Sequence, residues 1–239
     1  MQEAAITPMR VLVACEFSGV VRNAFLARGH DAWSCDLLPS EDGSNRHIIG
    51  DARDILADGW DLLMVAHPPC TRLCRSGHRW LFGPGETHPK TLPKGRTWES
   101  MLAEFEAGIA LFTDFWRAPI DRVAIENPVM HPPAQKRMPA DLPKPHIVQP
   151  WQHGDPAFKA TGLYLRGLPP LQDSNRLTPP ERGTDEFKRW SAVHRAPPGP
   201  DRWKIRSRTF PGIASAMADQ WGAMDPINKE GPLFAVAAE

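Results

Sequence analysis

Cys70 stands directly behind Pro68 and Pro69, at the end of the apolar run Asp61–Ala66 (DLLMVA). Prolines cannot donate to a sheet ladder, so a strand must stop there, and their rigid rings hold a neighbouring side chain in place. A cysteine so held suits a nucleophile, provided that a nearby cation lowers the pKa of its thiol. His67, Arg72 and Arg75 are candidate cations. Glu126 closes a second apolar run, Arg122–Ile125, and is followed by Asn127-Pro128. Partial desolvation raises the pKa of a carboxyl group in such a place and suits it to donate a proton near neutrality. Both residues also have plainer readings: a buried apolar cysteine, and a carboxylate paired with an arginine at the edge of the core. Cys15 and Cys35, in or at the ends of apolar runs, fit the plainer one, while Cys74 fits either. His67, Cys70, Cys74 and His78 also form the pattern H-x2-C-x3-C-x3-H. Structural zinc sites more often pair their ligands as C-x2-C, with a second pair well downstream. The zinc-deaminase signature is missing as well, because the next cysteine comes one place too late and no H-x-E precedes it.

Such residues act together only if separate elements carry them to one place. Arg10–Cys15 (RVLVAC) is a Val-rich apolar run that suits a strand buried on both faces. Phe17-Ser18-Gly19 breaks it, and Val21, Ala24, Phe25 and Arg28 then fall near one face of a helix, with Gly29 at its end. Asp31–Cys35 reads as a second strand ending at Asp36, which completes a β-α-β unit. DLLMVA and RVAI supply further buried strands. Met101, Leu102, Phe105, Ile109, Phe112 and Trp116 mark a long amphipathic helix between them. Alternating strands and helices imply an α/β fold, Rossmann-like, with a mainly parallel sheet and flanking helices. Ligands bind such folds beyond the carboxyl ends of the strands. Phe17-Ser18-Gly19, Asp36, Cys70 and Glu126-Asn127 all fall there. Gly19, opening a helix after a strand, can present backbone N–H groups to a cofactor, and Asp36 can accept from ribose hydroxyls. The full G-x-G-x-x-G fingerprint of a dinucleotide site is absent. Asp51, after Gly50, suits an adenine amino group but also an ordinary helix start.

The 239 residues suffice for one catalytic domain, expected over residues 9–224, with a frayed tail over 225–239. The 26 prolines fall mainly in the second half, so much loop is expected after Pro128 and a Pro-rich insert over residues 169–203. A mobile lid is expected between Arg75 and Gly95. Lys and Arg together number 28 and match 28 Asp and Glu, which argues against a protein coating a polyanion but leaves room for a local basic face. Arg195, Arg202, Lys204, Arg206 and Arg208 could form one. With no signal peptide and no apolar run of membrane length, the protein is expected in the cytoplasm with its four cysteines reduced.

The order F-S-G, D, G-D, P-P-C, E-N-P resembles the cytosine-C5 DNA methyltransferase family. The resemblance covers roughly Arg10 to Val129. It implies that Phe17, Ser18, Gly19, Asp36, Asp51 and Pro69 hold S-adenosylmethionine, that Cys70 is the nucleophile and that Glu126 and Asn127 serve the target base. The segment Arg208–Ala214 (RTFPGIA) and the stretch after it are similar to the family's last motif, which implies that Gly212 and Ile213 complete the cofactor pocket. The QPWQ and RTFPGIA segments also resemble small phage- and prophage-type members. Lys159, with Thr161, stands in for part of the family's Gln-x-Arg motif. Thr71 replaces the family's usual Gln after the nucleophile, Pro128 replaces its usual Val, and the target-recognition region is short.

The chemistry so implied is covalent. The Cys70 thiolate attacks carbon 6 of cytosine, carbon 5 becomes enamine-like and Glu126 supports ring nitrogen 3. Carbon 5 then accepts a methyl group and elimination frees the enzyme. DNA is the implied partner, and on duplex DNA the base is first flipped out. A free cytosine nucleotide as substrate would suit the short recognition region, and an altered S-adenosylmethionine donor is compatible with the same residues. A zinc hydrolase and a non-catalytic binding module are the alternatives from other classes.

Overall fold

A computed structural model describes residues 7–83, 87, 91–199 and 202–224. Its centre is a seven-stranded sheet built from β1 (Arg10–Ala14), β2 (Asp31–Asp36), β3 (His47–Ile49), β4 (Leu62–Val65), β5 (Arg122–Asn127), β6 (His146–Val148) and β7 (Thr161–Arg166). Their spatial order is β3-β2-β1-β4-β5-β7-β6. The first five in that order run parallel, and β7 runs antiparallel to both β5 and β6. The sheet is therefore α/β and mostly parallel, as the alternation of elements implied. After Pro128 irregular chain is abundant, as expected, but β6 and β7 also extend the sheet there. Val148, Thr161, Gly162 and Leu163 are buried between neighbouring elements, and the prolines lie between the strands rather than within them.

The apolar strands read as continuous runs because both faces are covered. One face packs on α3 (Trp98–Trp116), whose Met101, Phe105, Ile109, Phe112 and Trp116 share a core with Leu12, Leu63, Val65 and Ile125. The other packs on α1 (Val20–Leu26) and α8 (Pro211–Gly222), where Val21, Phe25, Ile213, Met217 and Trp221 meet Val11, Val13, Met64 and Ala124. Between these elements lie α2 (Arg75–Leu81), α4 (Pro132–Arg137), α5 (Asp185–Trp190), α6 (Ala192–Arg195) and α7 (Arg202–Ser207). The expected lid between Arg75 and Gly95 begins as the helix α2; residues 84–86 and 88–90 of it, like the tail 225–239, lie outside the described residues. No helix among the described residues is long and apolar enough to cross a membrane.

Consecutive connections leave β1 toward β2 on one side and toward β4 on the other. The sheet reverses its winding between β1 and β4, and a crevice opens beyond the carboxyl ends of strands at such a point. Because β7 is antiparallel to β5, the start of β7 lies beside the end of β5, with Gly162 opposite Asn127. Residues just before β7 are thereby delivered to the same edge.

Candidate active site

The turn after β1 is organised by a residue whose role is invisible in the sequence. Glu16 is fully buried, and its carboxylate accepts from the N–H groups of Val21 (2.7 Å) and Arg22 (3.1 Å) and from the Ser18 hydroxyl (3.4 Å). It thus satisfies the first free N–H groups of α1. Burial raises its pKa to about 7 in spite of these hydrogen bonds. Gly19 has φ +71°, a left-handed conformation that favours glycine, where the chain turns into α1. Arg22 lies fully buried behind the turn, donating to Ser34 (2.7 Å) and pairing with Asp42. Its position on the helix gives no hint of this, because Asp42 stands twenty positions further on. Phe17 is buried and its ring lies 5.5 Å from that of Trp203.

Asp36 ends β2, and one of its oxygens accepts from the Leu38 N–H at 2.9 Å. Burial raises its pKa. Beside it Leu37 is 74 % exposed, and Ile49, its neighbour on β3, is 64 % exposed. Asp51 is engaged otherwise: it caps a short 3-10 turn through the Arg53 N–H at 3.0 Å, and the Arg53 guanidinium grips both its oxygens. The helix-start reading of Asp51 describes what is there.

Cys70 lies in a turn whose carbonyl accepts from the N–H groups of both Leu73 and Cys74, so the thiols of Cys70 and Cys74 share one side of it. Its pKa is raised, first by the hydrogen bond with Cys74, then by burial and the charge of Glu126. The sequence pointed to a lowered value, and the expected cations do not provide one. His67 is half-buried, and desolvation of its ring together with the charges of Lys159 and Arg208 pushes its pKa down to about 3, so its ring is neutral. Arg72 is tied to Glu104 at 2.9 Å. The cation that faces Cys70 is Lys159 instead. Its ammonium donates to the carbonyls of Ser207 (3.2 Å) and Arg208 (3.0 Å). Burial lowers its pKa, while the charges of Glu126 and Cys70 oppose that shift.

Glu126 is 8 % exposed at the end of β5, and nothing among the described residues donates to its carboxylate. Burial raises its pKa to about 7, with Lys159 pulling the other way. It lines a narrow cleft, open at its mouth, together with Lys159, Thr161, Thr209 and Ile213. Pro69 lies between His67 and Cys70 on the turn that ends β4. Asn127 is fully buried, donates to the Pro128 carbonyl (2.7 Å) and has its side-chain oxygen unpartnered. Gly212 has a different job from the one the resemblance implied. Its N–H donates to the Asp155 carboxylate at 2.8 Å and its Cα presses on the backbone of His153, so it docks α8 against residues 153–155.

The zinc pattern is not assembled. His67 faces the Thr209 hydroxyl, at 3.5 Å from Nε2. The His78 ring packs on His131 and Phe82. Among the described residues no three His, Cys, Asp or Glu side chains stand together as a metal ligand set.

The fold thus carries a thiol, a protonatable carboxyl group and a half-buried lysine to one end of the sheet from three separate segments. Models of known protein families give no match to this chain, and neither do curated proteins.

Proposed function

We propose that the protein transfers a methyl group from S-adenosylmethionine to carbon 5 of cytosine through a covalent Cys70 adduct, with DNA as the substrate. The observation that carries this reading is the convergence of Cys70, Glu126 and Lys159 beyond the carboxyl ends of β4 and β5, where the charge of Glu126 acts on both of the other groups. Glu126 and Asn127 reach that point by ending β5, Cys70 by following β4 and Lys159 by preceding β7.

Each residue has a task that its surroundings support. Lys159 supplies the positive charge that a Cys70 thiolate needs, and its two carbonyl acceptors hold it there. The Cys70 thiolate forms a bond to carbon 6 of the ring while the electron pair of the 5,6 double bond moves to carbon 5; once carbon 5 is methylated, its proton leaves to water and the carbon 6–sulfur bond breaks, which restores the double bond and returns Cys70 as a thiolate. Glu126, with a pKa of about 7, is protonated in a large share of molecules at neutral pH and donates to ring nitrogen 3. Asn127 orients the loop that follows β5. When bound, S-adenosylmethionine supplies the methyl group as an electrophilic carbon. The residues beyond β1 and β2 fit its nucleoside end: Asp36 has acceptor capacity for ribose hydroxyls, and exposed Leu37 and Ile49 give an adenine ring apolar surface. Gly212 and Asp51 do not fit, since both are engaged within the protein.

Mass spectrometry after incubation with S-adenosylmethionine and a duplex oligonucleotide carrying 5-fluorocytosine tests the reading. A covalent protein–DNA adduct that disappears with Cys70→Ser is the expected result. An adduct only with a fluorinated cytosine nucleotide would move the substrate to the free nucleotide. No adduct with either removes the mechanism.

A further inference from the structure

The segment from Trp203 to Thr209 runs along the edge of the Cys70–Glu126–Lys159 cluster and is tied down repeatedly. Trp203 packs on Phe17, the Ser207 and Arg208 carbonyls accept from Lys159, Arg208 pairs with Glu41, and Thr209 faces His67. Its fixed position contrasts with what it turns outward. Trp203 is 48 % exposed and Ile205 is 53 % exposed, two large apolar side chains on one six-residue helix. They alternate with Arg202, Lys204 and Arg206, and Arg195 precedes them on α6. Among the described residues Arg195, Arg202 and Arg206 form no ion pair with an acid. The whole chain has a formal charge of zero, so this is a local excess beside the candidate site.

A solvated charged face accounts for the arginines but not for the tryptophan and isoleucine between them. A partner that satisfies both must carry regular negative charge and flat apolar faces. A polynucleotide with unpaired bases does: phosphates meet the guanidinium groups of Arg202 and Arg206, which share one face of α7, and a base face meets Trp203 beside them, while Ile205 lies on another side of the helix. A continuous duplex offers the phosphates but hides the faces of its bases in the stack. We propose that α7 binds an unpaired stretch of DNA beside the nucleotide held at Cys70. The choice of DNA and of its place next to Cys70 rests on the proposed function; the binding is measurable without catalysis.

The test is fluorescence anisotropy of the full chain with a labelled cytosine-containing oligonucleotide, single-stranded and as a duplex, over a salt series. The single strand should bind at least ten-fold more tightly than the duplex, and Trp203→Ala should weaken it by about ten-fold or more. The double variant R195A/R202A should flatten the dependence of log affinity on log salt by roughly 1.4, at about 0.7 for each phosphate that is no longer neutralised. Trp203 and Arg195 are exposed, whereas Arg202 is half-buried and donates from Nε to the Ala196 carbonyl at 2.8 Å, so an unchanged melting temperature is required to certify each variant. Equal binding of single strand and duplex, or a Trp203→Ala protein that binds the strand like the parent, overturns the inference. So does Trp203-dependent binding to phosphatidylserine vesicles without binding to the oligonucleotide. Trapping with 5-fluorocytosine separates the two claims. Trp203-dependent strand binding without any adduct keeps the surface and removes the chemistry, whereas an adduct with a nucleotide but no strand binding does the reverse.

Discussion

Glu126 and Cys70 both have raised pKa values, and each shift has a consequence that can be measured. Glu126 has its pKa raised from 4.5 to about 7 by burial. An acid whose folded pKa exceeds its unfolded one destabilises the fold once it ionises. That cost is absent below pH 4.5, grows between 4.5 and about 7 and reaches roughly 3 kcal/mol above that range. Glu126→Gln should therefore melt nearly like the parent at pH 4.5 and at a higher temperature at pH 8, by differential scanning calorimetry. The same variant should form the Cys70 adduct about 10²- to 10⁴-fold more slowly, as loss of a proton donor would. For Cys70 the largest influence is its hydrogen bond with Cys74, which raises the thiol pKa. Cys74→Ala should move the pH midpoint of Cys70 alkylation by iodoacetamide downward. An unchanged midpoint would leave burial as the dominant cause.

Whole elements set the distances between these groups, and the pairing of β5 with β7 is the tightest control. Gly162 faces Asn127 across that pair, and a Cβ at Gly162 would come within 2.7 Å of the Asn127 carbonyl oxygen and 3.1 Å of Pro145. No side chain fits there without parting the strands. Gly162→Ala should cost about 1–3 kcal/mol of stability, read from urea denaturation. It should also slow adduct formation beyond what the stability loss explains, because Lys159 stands just before β7. On the opposite face α8 is fixed by Trp221, which is fully buried and donates to the Pro169 carbonyl at 3.0 Å. Trp221→Ala should cost about 3–5 kcal/mol by the same measurement. The ion pair of Arg28 with Asp219, which also joins α1 to α8, is half in solvent and contributes far less.

Across the whole molecule, a neutral chain concentrates its effects locally. Glu16 and Glu126 both have pKa values raised to about 7, and they lie at the ends of different strands. Their costs have the same sign and grow from pH 5 to pH 8, against the opposite effect of His67, whose lowered pKa costs stability below pH 6.5; the stability gained by Glu126→Gln over the parent should therefore grow from pH 5 to pH 8 and remain smaller than that of a variant lacking both glutamates. A difference in melting temperature between Glu126→Gln and the parent that stays flat from pH 5 to pH 8 would contradict the Glu126 shift. Asp42 works in the opposite sense, because its desolvation is outweighed by hydrogen bonds from Ser40, Asn23 and buried Arg22, which hold its carboxyl well below the ordinary range. Its contribution is lost only in acid, below the window in which the two glutamates act.

The amino-acid order alone determined the parallel part of the fold. RVLVA, LLMV and RVAI are continuous apolar runs because they are covered on both faces, and the α3 stripe has helical spacing, so both are local patterns. It also marked Cys70 and Glu126, since proline breaks and strand ends are local too. Tertiary structure decided the rest. β7 is antiparallel and reaches β5 across a long separation in sequence, so its pairing, and with it the delivery of Lys159, has no local signature. The buried roles of Glu16 and Arg22 depend on partners in other turns. The neutrality of His67, the capture of Asp51 by Arg53 and the use of Gly212 to dock α8 follow from which charges and backbones fold against them. Residue types announce what chemistry is available; burial and the distance to other charges fix the protonation state in which it is held.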